Sequence, residues 1–517
     1  MELNSESELT ENGAIAFKSS GNSLVDLFYA TVRGIDLNKL TYLFNKSLEE
    51  YPQETLKLIF YTRDCRTGKG ERDISYNMLK MLEYALPNIY NSNIKLIVEK
   101  YGKFEDYLYL DKLIRCTKLS GCTKLDKLIT RLELDLFINK LKEDIDIISK
   151  EDYLTGTGTN KISLAAKWAP REHGYFNHQQ IYMAKKLSPL REYKKEYRKL
   201  IKSLMDKLNV VEKQMSNKEW DSINFSHVPS KAMKAYSKKQ VKIKSECDSN
   251  NNGVQAGAFY RHCDDRFREY LMNVAKGTEK INIKGILPHE LIHEYFVINK
   301  YNETVELQWD KLIKEIKNSG DGNNLGDATA IVDVSGSMEG TPMEVAIALG
   351  IIVGELTDNQ VITFSEVPEW FHIKEGGLFN KYNQMIKMKW GGSTNFAKSM
   401  DLILEKSIKL NKCPKVLFVF SDMQFNIADR NCVSNYNYCV NKFKENGFNV
   451  PQIIFWNLRD SKTESLACPI TVHDTGTLMV SGFNTDLLQM FLKFDSNSFT
   501  PLSCILKILE KYNDIIW

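Results

Sequence analysis

The stretch Ile331-Val332-Asp333-Val334-Ser335-Gly336-Ser337-Met338 constrains this chain more than any other, because it sets an Asp-x-Ser-x-Ser loop at the end of an apolar run. Ala328 to Val334 is short, apolar and β-branched, the composition of a strand buried on both faces of a parallel sheet. A helix start follows. Thr341-Pro342-Met343-Glu344 offers an N-cap threonine, a proline at the first helical position and a glutamate placed to close a capping box. The loop is therefore expected at a strand's carboxyl end, where open α/β sheets bind their ligands.

Two further segments extend the set. Gly391-Gly392-Ser393-Thr394-Asn395 precedes an amphipathic helical run from Phe396 to Ile408, and Lys415 to Asp422 reads as a second buried strand with a carboxylate at its end. Asp333, Ser335, Ser337, Thr394 and Asp422 can thus bring five oxygen ligands from three loops to one crevice. Hydroxyls backed by one or two carboxylates suit Mg²⁺ or another hard divalent cation, which prefers oxygen ligands and usually keeps waters.

In this order the five residues resemble the metal-ion-dependent adhesion site of the von Willebrand factor A domain, a doubly wound, Rossmann-like fold; the match spans about residues 325 to 517. The resemblance implies a cation with one open position, filled by a carboxylate from an acidic protein partner. The alternative for the same residues is that they merely cap helices in an α/β domain. A phosphatase-type Asp-x-Asp pair is excluded, since Ser335 stands where the second carboxylate is needed. Neither Gly68-Lys69-Gly70 nor Gly156 to Lys161 has the spacing of a phosphate-cradling P-loop, and both read as turns.

A length of 517 residues suggests about two to four domains, and 43% hydrophobic residues suffice for substantial cores. Residues 1 to 11 are polar and acidic, unlike a secretory signal, and the most apolar stretch, Val345 to Gly354, is too short to span a bilayer and reads as a buried helix. Ten cysteines without Cys-x-x-Cys spacing suggest reduced thiols in an intracellular protein, in the cytoplasm or, for a viral protein, the virion.

The first 320 residues read differently. Amphipathic patterns at Leu40 to Leu48, Tyr76 to Leu86 and Asn93 to Lys100 predict an all-helical region with HEAT-like stacked pairs and few strands. The Gly-, Asn- and Asp-rich segment from Asn318 to Asp327 reads as a linker between domains at 1–320 and 325–517, and Ser245 to Ala258 as a long polar loop.

Arg63 to Arg72 resembles the Arg-Asp-x-Arg-x-Gly-Lys-Gly-Glu-Arg signature of a family of unknown function from large DNA viruses and plants. Ala166-Lys167-Trp168-Ala169-Pro170, Trp220-Asp221-Ser222-Ile223, Val228-Pro229-Ser230 and Asp264-Asp265-Arg266-Phe267 follow in that family's order. The architecture is similar to that of the Ro autoantigen, whose TROVE ring of helical repeats is closed by a von Willebrand A domain and binds RNA. It implies a scaffold without enzymatic activity.

Charge bears on RNA separately from that resemblance. Net charge is +3, yet Lys185 to Lys244 holds 17 Lys and Arg against 6 Asp and Glu. Lys194, Lys195, Arg198, Lys199 and Lys202 are the candidate phosphate contacts, and Tyr182, Tyr193, Tyr197, Trp220, Phe225 and Tyr236 the candidates for stacking on bases. The alternatives for this segment are a solvated helix face or an acidic protein partner, and for the whole chain a protein-interaction scaffold without RNA.

His289-Glu290-Leu291-Ile292-His293 matches the H-E-x-x-H pattern of zinc proteases. Pro288 before it reads as the start of a helix whose buried face is Leu291, Ile292, Tyr295 and Phe296, and no third ligand follows at a zincin spacing, so the protease reading ranks last.

Overall fold

A computed structural model describes residues 7–118, 131–151, 162–188, 191–208, 210–236, 252–319, 327–364, 367–388, 395–426, 435–460, 466–483, 486–491 and 500–517. The chain divides into two compact units: one holds residues 1–74 and 273–515, the other essentially residues 75–272. This partition differs from a cut near residue 320, because the first 74 residues and the helices after 273 belong to the same body as the sheet.

The sheet unit holds two sheets. A hairpin of β1 (Ser7–Leu9) and β2 (Ile15–Phe17) opens the chain, so the region read as all-helical begins with strands. The large sheet contains β3 (Ala328–Asp333), β4 (Gln360–Phe364), β5 (Trp370–His372), β6 (Val416–Ser421), β7 (Gln452–Asn457) and β8 (Thr477–Ser481), in the order β5-β4-β3-β6-β7-β8. All neighbours run parallel except the β4–β5 edge pair. Both strands expected from the sequence are present, and β3 is buried throughout, as its continuous apolar run requires. Strand order reverses between β3 and β6, which opens a crevice at their carboxyl ends.

The helix after the Asp333 loop spans Thr341–Leu356, and Val345 to Gly354 is buried along its whole length. Its start differs from expectation. Thr341 is the first helical residue, Gly340 at φ +92° takes the N-cap position, and no side chain closes a capping box, because Glu344 is drawn away to His293 Nδ1 at 2.7 Å. Gly350 sits where an added Cβ would lie 2.6 Å from Val332, so this helix packs directly on β3. The helix from Phe396 runs to Leu410.

Residues 1–74 are stitched into this unit. Phe17 and Cys468 exchange backbone hydrogen bonds of 2.9 and 2.8 Å, and Thr10 Oγ1 donates to the Phe425 carbonyl at 2.7 Å. The helix Ser23–Ala30 is buried on every side, and Asn22 caps it by accepting from the Leu24 and Val25 amides. Its carboxyl end meets the sheet. Ser481 Oγ donates to the Phe28 carbonyl at 2.7 Å, and Asn457 Nδ2 to the Tyr29 carbonyl at 3.3 Å.

The signature from Arg63 to Arg72 holds these pieces together. Lys69 is fully buried and its amino group reaches the Phe28 carbonyl at 2.5 Å, Thr31 Oγ1 at 2.5 Å and Ser481 Oγ at 2.6 Å, closing the last turn of the Ser23–Ala30 helix. Gly68 has no room for a side chain, since a Cβ would fall 2.1 Å from the Tyr61 carbonyl oxygen. Glu71 takes the Arg33 guanidinium on both carboxylate oxygens, and Asp64 accepts from the Arg66 amide and from Tyr512 Oη. The Gly-Lys-Gly turn is thus an internal clamp, and a P-loop is not needed to explain it.

The second unit is helical among its described residues. Its helices include Pro87–Asn93, Phe104–Lys118, Leu132–Glu151, Asn177–Leu187, Tyr193–Lys207 and Asn252–Ala275. Two expectations shift. Asn93 to Lys100 is not one helix: an α-helix ends at Asn93 and a π-helical turn covers Ile97–Tyr101. The polar stretch expected as a loop through Ala258 is helical from Asn252, while Ser245 to Asn251 and the linker residues 320–326 lie outside the described residues, as does the Gly156 to Lys161 turn. The core carries a buried ion pair between Arg131 and Asp111, which also accepts from Gln179 Nε2 at 2.9 Å.

Candidate functional site

The loop after β3 and the end of β6 bring four of the five expected ligands into the crevice between adjacent strands. Asp333 is fully buried; one carboxylate oxygen accepts from the Ser335 amide at 2.9 Å and the other from Ser421 Oγ at 2.6 Å. Ser335 Oγ and Ser337 Oγ lie 3.0 Å apart. Asp422 follows on the neighbouring strand, is also buried, and accepts from the Gln424 amide at 3.2 Å. Thr394 lies outside the described residues.

Burial foremost, and then the charge of Asp422, push the Asp333 carboxyl up to about 7, against the stabilising hydrogen bonds from Ser421 and Ser335. Neither aspartate takes part in an ion pair among the described residues. Two adjacent buried carboxylates flanked by two hydroxyls form a hard-oxygen donor set, and this set fits a divalent cation. No group of three or more His, Cys, Asp or Glu side chains converges among the described residues, so a cation here would rest on the two carboxylates and the hydroxyls.

Three nearby side chains were not singled out from the sequence. Ser421 anchors Asp333, Arg459 donates to the Ser337 carbonyl at the loop's rim, and the buried Tyr29 hydroxyl has no hydrogen-bond partner although the Asp422 charge acts on it. Ser421 and Arg459 had a legible signal, since each lies at or just beyond the carboxyl end of an apolar strand run. Tyr29 had none, being nearly 400 positions distant.

The H-E-x-x-H side chains are engaged separately. Pro288 begins the helix Pro288–Ile298, as its position predicts, and Leu291, Ile292 and Tyr295 are buried. Glu290 is spent on the helix start, where it accepts from the Leu287 amide at 2.9 Å. His289 is buried edge-on against Phe483, whereas His293 is exposed and paired with Glu344.

On the helix Tyr193–Lys207, Tyr197, Ile201 and Leu204 face the core, and Lys194, Lys195, Arg198, Lys199 and Lys202 are exposed. Lys195, Arg198 and Lys199 are ion-paired to Glu192, Glu172 and Glu196. Lys194 and Lys202 have no such partner among the described residues. Half of the expected stacking aromatics are unavailable, because Tyr197, Phe225 and Tyr236 are core residues. Trp220 already stacks on His262 at 4.6 Å, and the Tyr182 hydroxyl is bound to Asp135.

The described residues include no helix long and apolar enough to cross a membrane. Among the described residues Cys65, Cys263, Cys413, Cys439, Cys468 and Cys504 are free thiols.

Comparison with known families places these features in context. A family model described as a domain of unknown function (DUF2828) matches residues 10–131 and 128–321, and a second domain of unknown function (DUF7788) matches residues 327–502. The uncharacterized protein L728 of Acanthamoeba polyphaga mimivirus is 36% identical over 514 residues, covering 97% of this chain and 87% of that protein. The chain therefore belongs to the DUF2828 family, followed by a DUF7788 domain, with a relative in a large DNA virus that matches it over nearly its whole length.

Proposed function

We propose that the protein is a non-enzymatic binding scaffold whose C-terminal sheet is a von Willebrand A-type domain holding Mg²⁺ at Asp333, Ser335, Ser337, Thr394 and Asp422. One observation carries the reading: Asp333 and Asp422 are buried side by side with two hydroxyls beside them and no counter-charge in an ion pair. The strand order, reversing at this crevice, supports it. A bound cation would supply an electrophilic open position for a partner's carboxylate. Asp333 and Asp422 would provide the negative charge, the serine hydroxyls neutral ligands, and Ser421 would hold Asp333 in place. Arg459 at the rim adds a positive charge that favours an acidic partner.

Calorimetric titration of metal-stripped protein with Mg²⁺ and Mn²⁺ tests this directly. Wild type should bind about one equivalent, and Asp333→Asn and Ser335→Ala with Ser337→Ala should abolish it; equal binding by the variants sinks the metal reading.

RNA is the second partner in this proposal, at the helix Tyr193–Lys207. The exposed, unpaired Lys194 and Lys202, one full helical face apart from the buried Tyr197, Ile201 and Leu204, favour it, as does the likeness to the Ro architecture of TROVE-type, HEAT-like repeats with a von Willebrand A domain. A scaffold acting in the cytoplasm or virion is consistent with the free thiols. Salt-dependent binding of a structured RNA with a single-stranded tail tests it; no binding at low salt leaves a protein-interaction scaffold.

A further inference from the structure

The turn that leaves β6 carries a backbone outlier beside the two buried carboxylates. Met423, the residue after Asp422, is held at φ +63°, in the left-handed region that a side chain disfavours, and it is buried. Such a conformation persists only where neighbouring contacts over-determine it. Some of those contacts come from the crevice itself. The Met423 amide donates to Ser421 Oγ at 3.1 Å, the hydroxyl that holds Asp333, and the Gln424 amide donates to Asp422 at 3.2 Å. The shape of this turn therefore bears on where both carboxylates point.

The remaining restraints come from the other end of the chain. Three consecutive residues of the turn between β1 and β2 bind Gln424 and Phe425. Thr10 Oγ1 donates to the Phe425 carbonyl at 2.7 Å across 415 positions, the Glu11 amide donates to Gln424 Oε1 at 2.8 Å, and Asn12 Nδ2 donates to the Gln424 carbonyl at 2.6 Å. Gly13 forms a β-bridge with Asn426. Thr10 is buried, and its hydroxyl accepts from the Ala14 amide at 3.0 Å, so the group that reaches the far loop is itself fixed.

Apolar packing ties the same hairpin to the segment expected to supply Thr394. Phe425 stacks on Phe396 with ring centres 5.2 Å apart, and Phe396 opens the helix that follows that segment. Thr10, Ala14 and Ala16 line one small gap together with Phe396, Met423 and Phe425. The hairpin thus braces the elements beside two of the three ligand loops, and it does so within one compact unit.

We propose that docking of the N-terminal hairpin controls the cation affinity of the Asp333–Asp422 crevice, with Thr10, Glu11 and Asn12 as positioning residues. Docked, they hold the Met423 turn in the conformation that presents Asp422; released, the turn relaxes and the crevice loses its second carboxylate. The inference rests on the cation reading of that crevice. Coupling of this kind is reciprocal: whatever draws the hairpin away weakens the cation, and the cation tightens the hairpin by the same factor.

Calorimetric titration of the metal-stripped full chain with Mn²⁺, together with hydrogen exchange read by mass spectrometry, tests the coupling. The equivalent that counts is the one lost in Asp333→Asn. Thr10→Val and Asn12→Ala should each weaken it about tenfold, an ordinary size for coupling between two sites. Thr10→Ser, which keeps the hydroxyl, should bind as wild type. Asn12 is exposed, so its variant keeps the comparison open if Thr10→Val fails to fold. In the reverse direction, saturating Mn²⁺ should slow exchange across residues 8–17 in wild type and leave it unchanged in Asp333→Asn. Wild-type Mn²⁺ affinity in both Thr10→Val and Asn12→Ala, or hairpin exchange indifferent to Mn²⁺, overturns the coupling and leaves the cation site standing. A wild-type chain that takes up no Mn²⁺ removes the cation reading and the coupling with it.

Discussion

The Lys69 amino group lies 2.6 Å from the Ser481 hydroxyl, 412 positions further along the chain, and both converge on the Phe28 carbonyl at the end of a third segment. A single buried side chain therefore joins the family signature, an N-terminal helix and the last strand of the sheet. Signature residues are often sought at ligand sites. Here they add a buried amino group to a helix terminus whose carbonyls Ser481 and Asn457 also reach.

Lys69→Met should consequently destabilise the protein by about 3 kcal/mol, because it removes the amino group's hydrogen bonds to Phe28, Thr31 and Ser481 in the core. Gly68→Ala should cost at least as much, since its Cβ has to displace the Tyr61 backbone. Urea midpoints measure both. Variants with wild-type midpoints would show that the turn is not a clamp.

Asp333→Asn is expected to separate stability from metal response. Removing one of two adjacent buried carboxylates relieves repulsion, so the metal-free variant should melt at or above the wild-type temperature. Mg²⁺ at 100 times its Kd should raise wild-type stability by about 2.7 kcal/mol and leave the variant unmoved. Melting curves with and without Mg²⁺ distinguish this from simple misfolding of the variant.

Within the basic helix the five cations should not be equivalent. Charge reversal at Lys194 and Lys202 should lower RNA affinity and flatten its salt dependence more than the same change at Lys195 and Lys199, whose charges are already offset by Glu192 and Glu196. Fluorescence anisotropy over a salt series gives the comparison. Equal losses for both pairs would argue for a general field effect rather than this helix face.

Glu133 carries a pH signature. Burial raises its carboxyl above the ordinary value of 4.5, although the hydrogen bond from Tyr90 Oη at 2.6 Å works in the opposite direction. A folded-state value above the unfolded one means that folding favours the protonated form. Its contribution is complete below the unfolded value and is lost as pH rises through the folded one. Wild-type stability relative to Glu133→Gln should therefore decline as pH rises from about 4.5, read from urea midpoints at each pH. A flat difference would mean that the carboxyl is effectively solvated.

Zinc offers a negative control. With Glu290 capping its helix and His293 paired to Glu344, His293→Ala should leave the zinc content of purified protein unchanged by elemental analysis. Stoichiometric zinc that disappears in the variant would revive the protease reading.

Local pattern made several elements legible. β3 and β6 are mostly apolar runs rich in β-branched or aromatic residues, and the helix Thr341–Leu356 is a long apolar stretch that opens with a proline, so nearest-neighbour physics suffices for each. Spacing alone also put Asp333, Ser335, Ser337 and Asp422 at one sheet edge, because strand ends are where an apolar run meets polar residues. The misreadings were also local. Thr341 looked like an N-cap, but the Gly340 backbone and the pull of His293 on Glu344 changed the helix start.

The sequence by itself determined which segments bury themselves and which carry the oxygen ligands and cations, since both follow from periodicity and residue type. Tertiary structure decided the use to which they are put. Folding took residues 1–74 into the sheet unit, made Lys69 a helix cap, and buried Tyr197, Phe225 and Tyr236. These outcomes depend on contacts between residues hundreds of positions apart, and a hydrogen bond such as Lys69 to Ser481 leaves no trace in the local pattern of either partner.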